Sequence, residues 1–254
     1  MPRFACSVGG MLGLPDTITA CLFDLDGVLT TTAELHMAAW KKAFDEFLRA
    51  RDGDGFAPFT EHDYAEYVDG RPRADGVREF LRSRDVTLPE GTPDDAPTEV
   101  TVNGVGNRKN ELLDQVIAER GVQPFPGSLR YLRAVREAGL AVAVVTSSRN
   151  GEKVLQAAGL TDYYRALVDG NVLAERGLSG KPAPDSFLAG AQALGVEPGR
   201  AAVFEDALAG VQAGRAGHFG HVVGVDRADQ ADELRSHGAD VVVKDLADLL
   251  QGDA

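Results

Sequence analysis

Cysteine is scarce in this chain. Its 254 residues hold two, Cys6 and Cys21, too few for the disulfide framework of a small secreted scaffold. Cys21 lies inside an apolar run and reads as a buried thiol, and no Cys6–Cys21 disulfide is expected. Positive charge is in deficit, with 26 Lys and Arg against 39 Asp and Glu and a net charge of −13. That balance argues against nucleic acid or anionic membrane as a main partner, because both need basic patches. It suits a soluble protein that binds a metal cation. Long apolar runs are also missing: none approaches the roughly 18 residues that a membrane span needs. The first stretch, MPRFACSVGGMLGLPD, has one arginine and no sustained apolar core, so it reads as a short extension and not as a signal peptide. These absences lead to the expectation of a cytoplasmic protein.

The rest is ordinary globular material. The apolar fraction is 44%, and the length allows one large domain or two modest ones. Short apolar runs at Ile18–Phe23, Leu140–Thr146, Ala201–Phe204, His221–Val225 and Asp240–Val243 read as buried strands. Helical patterns separate them, at Gly127–Ala138, Asn150–Ala158, Pro184–Leu194, Ala207–Ala216, Asp229–His237 and Leu246–Gln251. Strands alternating with helices predict an α/β fold, a parallel sheet flanked by helices. Between the first two strands the pattern turns helical, with segments at Ala33–Arg49, Glu61–Val68, Arg73–Ser83 and Asn107–Arg120. Thr31 and Glu34 could form a capping box for the first of these. Leu88–Pro97 is a surface loop rich in Pro and Asp. The expected domains are an α/β core over 1–31 and 126–254 and an inserted α-helical domain over 32–125.

Ligands of parallel sheets bind beyond the carboxyl ends of the strands, and the polar clusters lie there. Asp24 and Asp26 follow the first strand in F-D-L-D-G. Residues i and i+2 of an extended segment point the same way, so both carboxylates can face one pocket. A carboxylate can serve as a phosphoryl-transfer nucleophile, and its partner can take the proton of the reacting hydroxyl. The transfer needs cations, which Mg²⁺ and a lysine can supply. T-S-S-R-N follows the second strand. There the Thr146 hydroxyl and the Ser147 and Ser148 amides can hold phosphate oxygens, with Asn150 at the next helix start. Lys181 sits between G and P-A-P-D. Glu205 and Asp206 follow the third strand. Each cluster has a plain structural alternative: a solvated turn, a helix N-cap, a surface lysine, or acids facing a helix start.

In this order the motifs F-D-L-D-G, V-T-S-S, G-K-P-A-P-D and F-E-D-A-L-A-G resemble the haloacid dehalogenase superfamily of phosphotransferases, over essentially everything after residue 17. The resemblance implies a Rossmann-like core with an inserted α-helical cap. It makes Asp24 the nucleophile and Asp26 the general acid/base. Thr146 and Lys181 would hold the transferring phosphate. Mg²⁺ would lie among Asp24, Asp26, Glu205 and Asp206.

The helical insert is where substrate choice should reside. T-T-T-A-E-L-H-M-A-A-W, V-D-G-R-P-R-A-D and G-N-R-K-N look like cap motifs of the β-phosphoglucomutase family. By that resemblance Arg73, after Gly70, would bind the distal phosphate. His36 and Lys109 would help hold the substrate, and Trp40 would line the sugar pocket. Arg108 and Lys109 are expected at a helix start. Two departures stand out: Thr31 where the family often has Asp, and Ala207 where it often has Ser. The implied activity is a mutase that converts β-D-glucose 1-phosphate into glucose 6-phosphate through a 1,6-bisphosphate, in a monomer whose partner is a small phosphosugar. An inverting disaccharide phosphorylase would supply that substrate. A Mg²⁺-dependent sugar-phosphate phosphatase is the alternative, and a non-catalytic phosphosugar-binding protein is the third.

Overall fold

A computed structural model describes residues 8–250. They fall into two compact units, one of Thr32–Val122 and one of the chain before and after it. Cys6 lies outside the described residues.

The larger unit is built on six parallel strands: β1 (Ala20–Phe23), β2 (Ala141–Val145), β3 (Ala166–Val168), β4 (Ala201–Glu205), β5 (His221–Val225) and β6 (Val241–Val243). Their order is β3-β2-β1-β4-β5-β6. Helix α1 (Val8–Met11) precedes β1, and helices α2 to α5 belong to the smaller unit. The later strands alternate with α6 (Pro126–Glu137), α7 (Gly151–Ala157), α8 (Gly170–Arg176), α9 (Asp185–Leu194), α10 (Leu208–Ala216) and α11 (Ala231–His237). All four β1 residues are buried, as a central strand covered on both faces requires. Phe23 stacks on Phe204 of β4 with centroids 4.3 Å apart, and Tyr131 of α6 meets Phe23 edge-on. Leu22 joins Val203, Val145 and Phe187 in a second apolar cluster. Cys21 is a free, buried thiol, and burial pushes its pKa up. The chain builds outward from β1 through β2 to β3, then crosses to β4 on the other side. That reversal opens a crevice at the carboxyl ends of β1 and β4.

Strand β3 and helix α8 are among the elements that escaped the sequence reading. Strand β3 is three residues long, too short for a periodic signal, and α8 starts on an Asp169 cap whose carboxylate accepts from the Asn171 and Val172 amides. The last expected helix is a 3₁₀ turn, Leu246–Leu249, closed by a capping box of Asp245 and Asp248.

The smaller unit holds α2 (Ala33–Asp52), α3 (Glu61–Asp63), α4 (Arg73–Ser83) and α5 (Val102–Arg120), with a π-helical turn at Tyr64–Val68. Its core is aromatic: Trp40 and Phe44 stack at 5.0 Å, and Phe44 leans on Phe59 and Phe80. The expected Thr31–Glu34 capping box does not form. Thr32 is the N-cap residue of α2, and the Thr31 hydroxyl donates instead to the Gln123 carbonyl at 3.3 Å. Helix α5 begins five residues before its expected start, capped by Thr101, whose hydroxyl accepts from the Gly104 amide. Its glycines, which look like loop residues, are close-packing sites. A Cβ on Gly104 would collide with the Glu99 carbonyl, and one on Gly106 would sit 3.1 Å from the Arg73 stem. Arg108 and Lys109 therefore lie inside the helix and not at its start, and Arg108 pairs with Glu46 and Glu111. The Leu88–Pro97 loop is tied down: Glu90 pairs with Arg78, and Asp95 accepts from Thr92 and Thr101.

Candidate active site

The end of β1 supplies the first carboxylates. The Asp24 amide donates to the Phe204 carbonyl at 2.9 Å, which carries the sheet ladder one residue further and aims Asp24 into the crevice. Asp24 is buried, 6% exposed. The chain then turns at Gly27, whose φ of +87° suits glycine and whose amide donates to the Thr30 carbonyl at 2.9 Å. A Cβ there would also collide with the Asp206 carboxylate. Gly27 is thus what lets the β1 loop and the β4 end approach each other.

Lys181 lies fully inside, 1% exposed. Its ammonium donates to Asp24 Oδ1 at 2.5 Å, to the Val145 carbonyl at 3.3 Å, and to Glu205 Oε1. Three acceptors match its three donors. Phe187 packs against it, 4.8 Å from ring centroid to nitrogen. Glu205 is fully buried, and its second oxygen accepts the Ala207 amide at 2.9 Å. Helix α10 can close over it because a Cβ on Gly210 would collide with that carboxylate. Burial alone would lower the Lys181 pKa, but Asp24 and Glu205 outweigh it and hold the ammonium charged. Burial pushes the Asp24 carboxyl well above the usual carboxylate range; Lys181 opposes the rise, while Glu205 and Asp26 add to it.

Asp24, Glu205 and Asp206 each present an oxygen, mutually within 4.8 Å, in a form that could hold a metal ion. Three buried carboxylates, two of them paired with the Lys181 ammonium, leave an excess of negative charge, and an oxygen-only donor set suits a hard cation. A hard divalent cation fits this site.

Asp26 stands outside that trio, with its Oδ2 3.4 Å from the Thr146 hydroxyl. Thr146 follows β2, and its amide donates to the Val168 carbonyl at 2.9 Å. The Ser148 amide donates to Thr146 Oγ1 at 3.1 Å, and the Asn150 amide to Ser148 Oγ at 3.2 Å. Ser147, Ser148 and Asn150 thus form a tight turn beside Asp26, ahead of α7.

In the smaller unit, Lys109 is 5% exposed and donates to His36 Nδ1 at 3.1 Å, with its ammonium 5.1 Å from the Trp40 ring centroid. Trp40 itself is buried in the aromatic core. Gly70 lies in the turn before α4, and Arg73 opens that helix. Arg73 lines a cleft of about 680 Å³ together with Asp95, Asn107, Glu111 and Asp114.

A family model described as haloacid dehalogenase-like hydrolase matches residues 18–218. The chain belongs to the haloacid dehalogenase-like hydrolase family. Within it, the chain falls in the β-phosphoglucomutase family. It is 56% identical over 247 residues to a β-phosphoglucomutase of Mycobacterium bovis, covering 94% of each chain. It is 32% identical over 232 residues to that of Bacillus subtilis, covering 91% of each. Among solved structures, β-phosphoglucomutase from Clostridium difficile superposes with a TM-score of 0.73 at 25% identity, over 91% of this chain and 93% of that one.

The sequence reading missed the loop after β5. Gln230 Nε2 donates to the Asp206 carbonyl at 3.0 Å and Arg227 Nε to the Gly27 carbonyl at 2.8 Å. Both act on backbone atoms far away in sequence, so no motif marks them.

Proposed function

We propose that this chain is a β-phosphoglucomutase, an isomerase that interconverts β-D-glucose 1-phosphate and glucose 6-phosphate. The observation that carries this reading is the buried Asp24 carboxylate held by Lys181 at the carboxyl end of β1, in a chain 56% identical to a β-phosphoglucomutase.

Asp24 is the nucleophile and carries the phosphoryl group. The phosphorylated Asp24 gives that group to the C6 hydroxyl of β-glucose 1-phosphate, and Asp26 takes the hydroxyl proton. This forms glucose 1,6-bisphosphate and frees Asp24. The bisphosphate turns over, Asp24 attacks the C1 phosphate, and Asp26 returns its proton to the departing C1 oxygen. Glucose 6-phosphate leaves and Asp24 is phosphorylated again, so atoms and charge balance over the cycle. Thr146 holds an oxygen of the moving group, and Lys181 turns to that group the donor it otherwise gives to the Asp24 oxygen. The hydroxyl of Thr146, within reach of Asp26, keeps that carboxylate aimed at the acceptor. Asp24, Glu205 and Asp206 would hold Mg²⁺, which when bound supplies positive charge against the carboxylates and the phosphoryl oxygens.

For the smaller unit the proposal is that Arg73 grips the phosphate not being transferred and the Lys109–His36 pair orients the sugar. Trp40 supports them from the core by fixing Lys109. Sugar phosphates are charged and do not cross membranes, so a cytoplasmic place of action belongs to the same proposal. No helix among the described residues is long and apolar enough to span a membrane.

The test is mass spectrometry of the protein after exposure to glucose 1,6-bisphosphate and Mg²⁺. The peptide that contains Asp24 should gain one phosphoryl group, and Asp24→Asn should not. A phosphoryl group on any other residue would overturn the assignment.

A further inference from the structure

The loop between β5 and α11, residues 226–230, takes no part in the chemistry above. It is nonetheless stiffly built. The Asp226 amide donates to the Val243 carbonyl at 2.8 Å, and Asp226 Oδ1 accepts the Gln230 amide at 2.8 Å. Asp229 pairs with Lys244 at 2.6 Å. From this frame two side chains reach the two segments that carry the site's carboxylates. Arg227 Nε donates to the carbonyl of Gly27, the residue after Asp26, at 2.8 Å. Gln230 Nε2 donates to the carbonyl of Asp206 at 3.0 Å. Gly27 and Asp206 approach too closely for a Cβ on Gly27. One loop therefore grips both sides of the tightest approach at the site.

Arg227 is anchored through two of its three guanidinium nitrogens, while its buried Nη2 has no hydrogen-bond partner. Its Nη1 donates to the Lys244 carbonyl at 2.9 Å, and its guanidinium carbon lies 3.8 Å from the Phe125 ring centroid. Both hydrogen bonds end on backbone carbonyls. The planar fork and the flat stacking face are what the site uses, and a lysine supplies neither.

We propose that Arg227, assisted by Gln230, is a positioning residue for phosphoryl transfer. It fixes the Asp24–Gly27 turn against Asp206, so that the nucleophile and its acid/base partner stay in register with the β4 carboxylates. The role rests on the phosphotransferase reading above. It gives a physical reason for an arginine two residues after β5. A misplacement of about 1 Å far from the reacting atoms can cost about 100-fold in rate.

The experiment compares the full-length wild type with Arg227→Lys and Arg227→Ala in two measurements. The first is steady-state kinetics with β-glucose 1-phosphate. The second is amide hydrogen exchange across residues 24–30 and 205–208. Both variants should lose kcat by about 10- to 100-fold with KM nearly unchanged. Exchange should speed up in those two segments and stay the same elsewhere in the sheet. Guanidinium ion at non-denaturing concentration should restore part of the Arg227→Ala rate and do nothing for wild type. If Arg227→Ala does not fold, Arg227→Lys decides alone, since it keeps the charge and the stem. Wild-type kcat or unchanged exchange in Arg227→Lys overturns the assignment. If the wild type makes no glucose 6-phosphate, the mutase reading fails, while the exchange measurement still decides whether Arg227 holds the turn.

Discussion

Replacing Lys181 with methionine perturbs the site at its centre. The stem is nearly conserved in volume and the ammonium is lost. Asp24 and Glu205, 6% and 0% exposed, then lose their shared donor together. Removing one partner of a buried ion pair costs about 3–5 kcal/mol, because an uncompensated charge stays buried. At roughly 2–4 °C per kcal/mol for a chain of this size, Tm should fall by about 6–20 °C. The assay is thermal unfolding followed by circular dichroism, with a chelator present so that no cation substitutes for the lysine. The pH dependence carries a sign. A buried carboxyl raised like Asp24 binds its proton more tightly in the folded state than in the unfolded one, so stability falls as pH rises through the window above its ordinary value of 3.8. The Tm deficit of Lys181→Met should accordingly be smallest at acid pH and grow toward neutrality. Adding Glu205→Gln should recover part of it by removing one orphaned charge. An unchanged Tm, or a deficit that is flat with pH and untouched by Glu205→Gln, would refute the charge argument.

Other perturbations read different parts of the molecule. Gly27→Ala places a side chain at φ +87° and into the Asp206 carboxylate; the backbone alone costs about 1–2 kcal/mol, and phosphoenzyme formation followed by mass spectrometry should be lost with it. Asp63→Ala removes the capping box with Thr60 and the ion pair with Arg84 at about 1 kcal/mol. Although burial opposes it, Thr60 and Arg84 hold the Asp63 carboxyl below 3.8. That stabilisation is present above 3.8 and lost as pH falls through the folded value, so the variant and wild type should converge in Tm there. Arg73→Ala should depress glucose 6-phosphate formation far more than release of free phosphate, as a coupled assay of both products would read; equal losses would count against its distal-phosphate role.

The β1 motif was legible because one strand places Asp24 and Asp26, and a strand's end can be seen in its apolar run. Lys181, Thr146 and Glu205 were legible for the same reason, each sitting in a short local pattern at a strand end or a proline-bounded turn. What Glu205 does was not legible: its partners are Lys181 and the Ala207 amide, which only the packing of α10 over β4 brings to it. Helix α5 was read short because Gly104 and Gly106 imitate a loop, whereas tight packing against Glu99 and Arg73 demands them. Arg227 was invisible because the carbonyl it holds lies 200 residues away in sequence.

The most direct measurement of the central claim is a two-product assay. The protein is given Mg²⁺, β-D-glucose 1-phosphate and a trace of glucose 1,6-bisphosphate, and glucose 6-phosphate and free phosphate are followed together. The account predicts glucose 6-phosphate with little free phosphate, abolished by Asp24→Asn. Free phosphate alone would contradict it and make the chain a sugar-phosphate phosphatase.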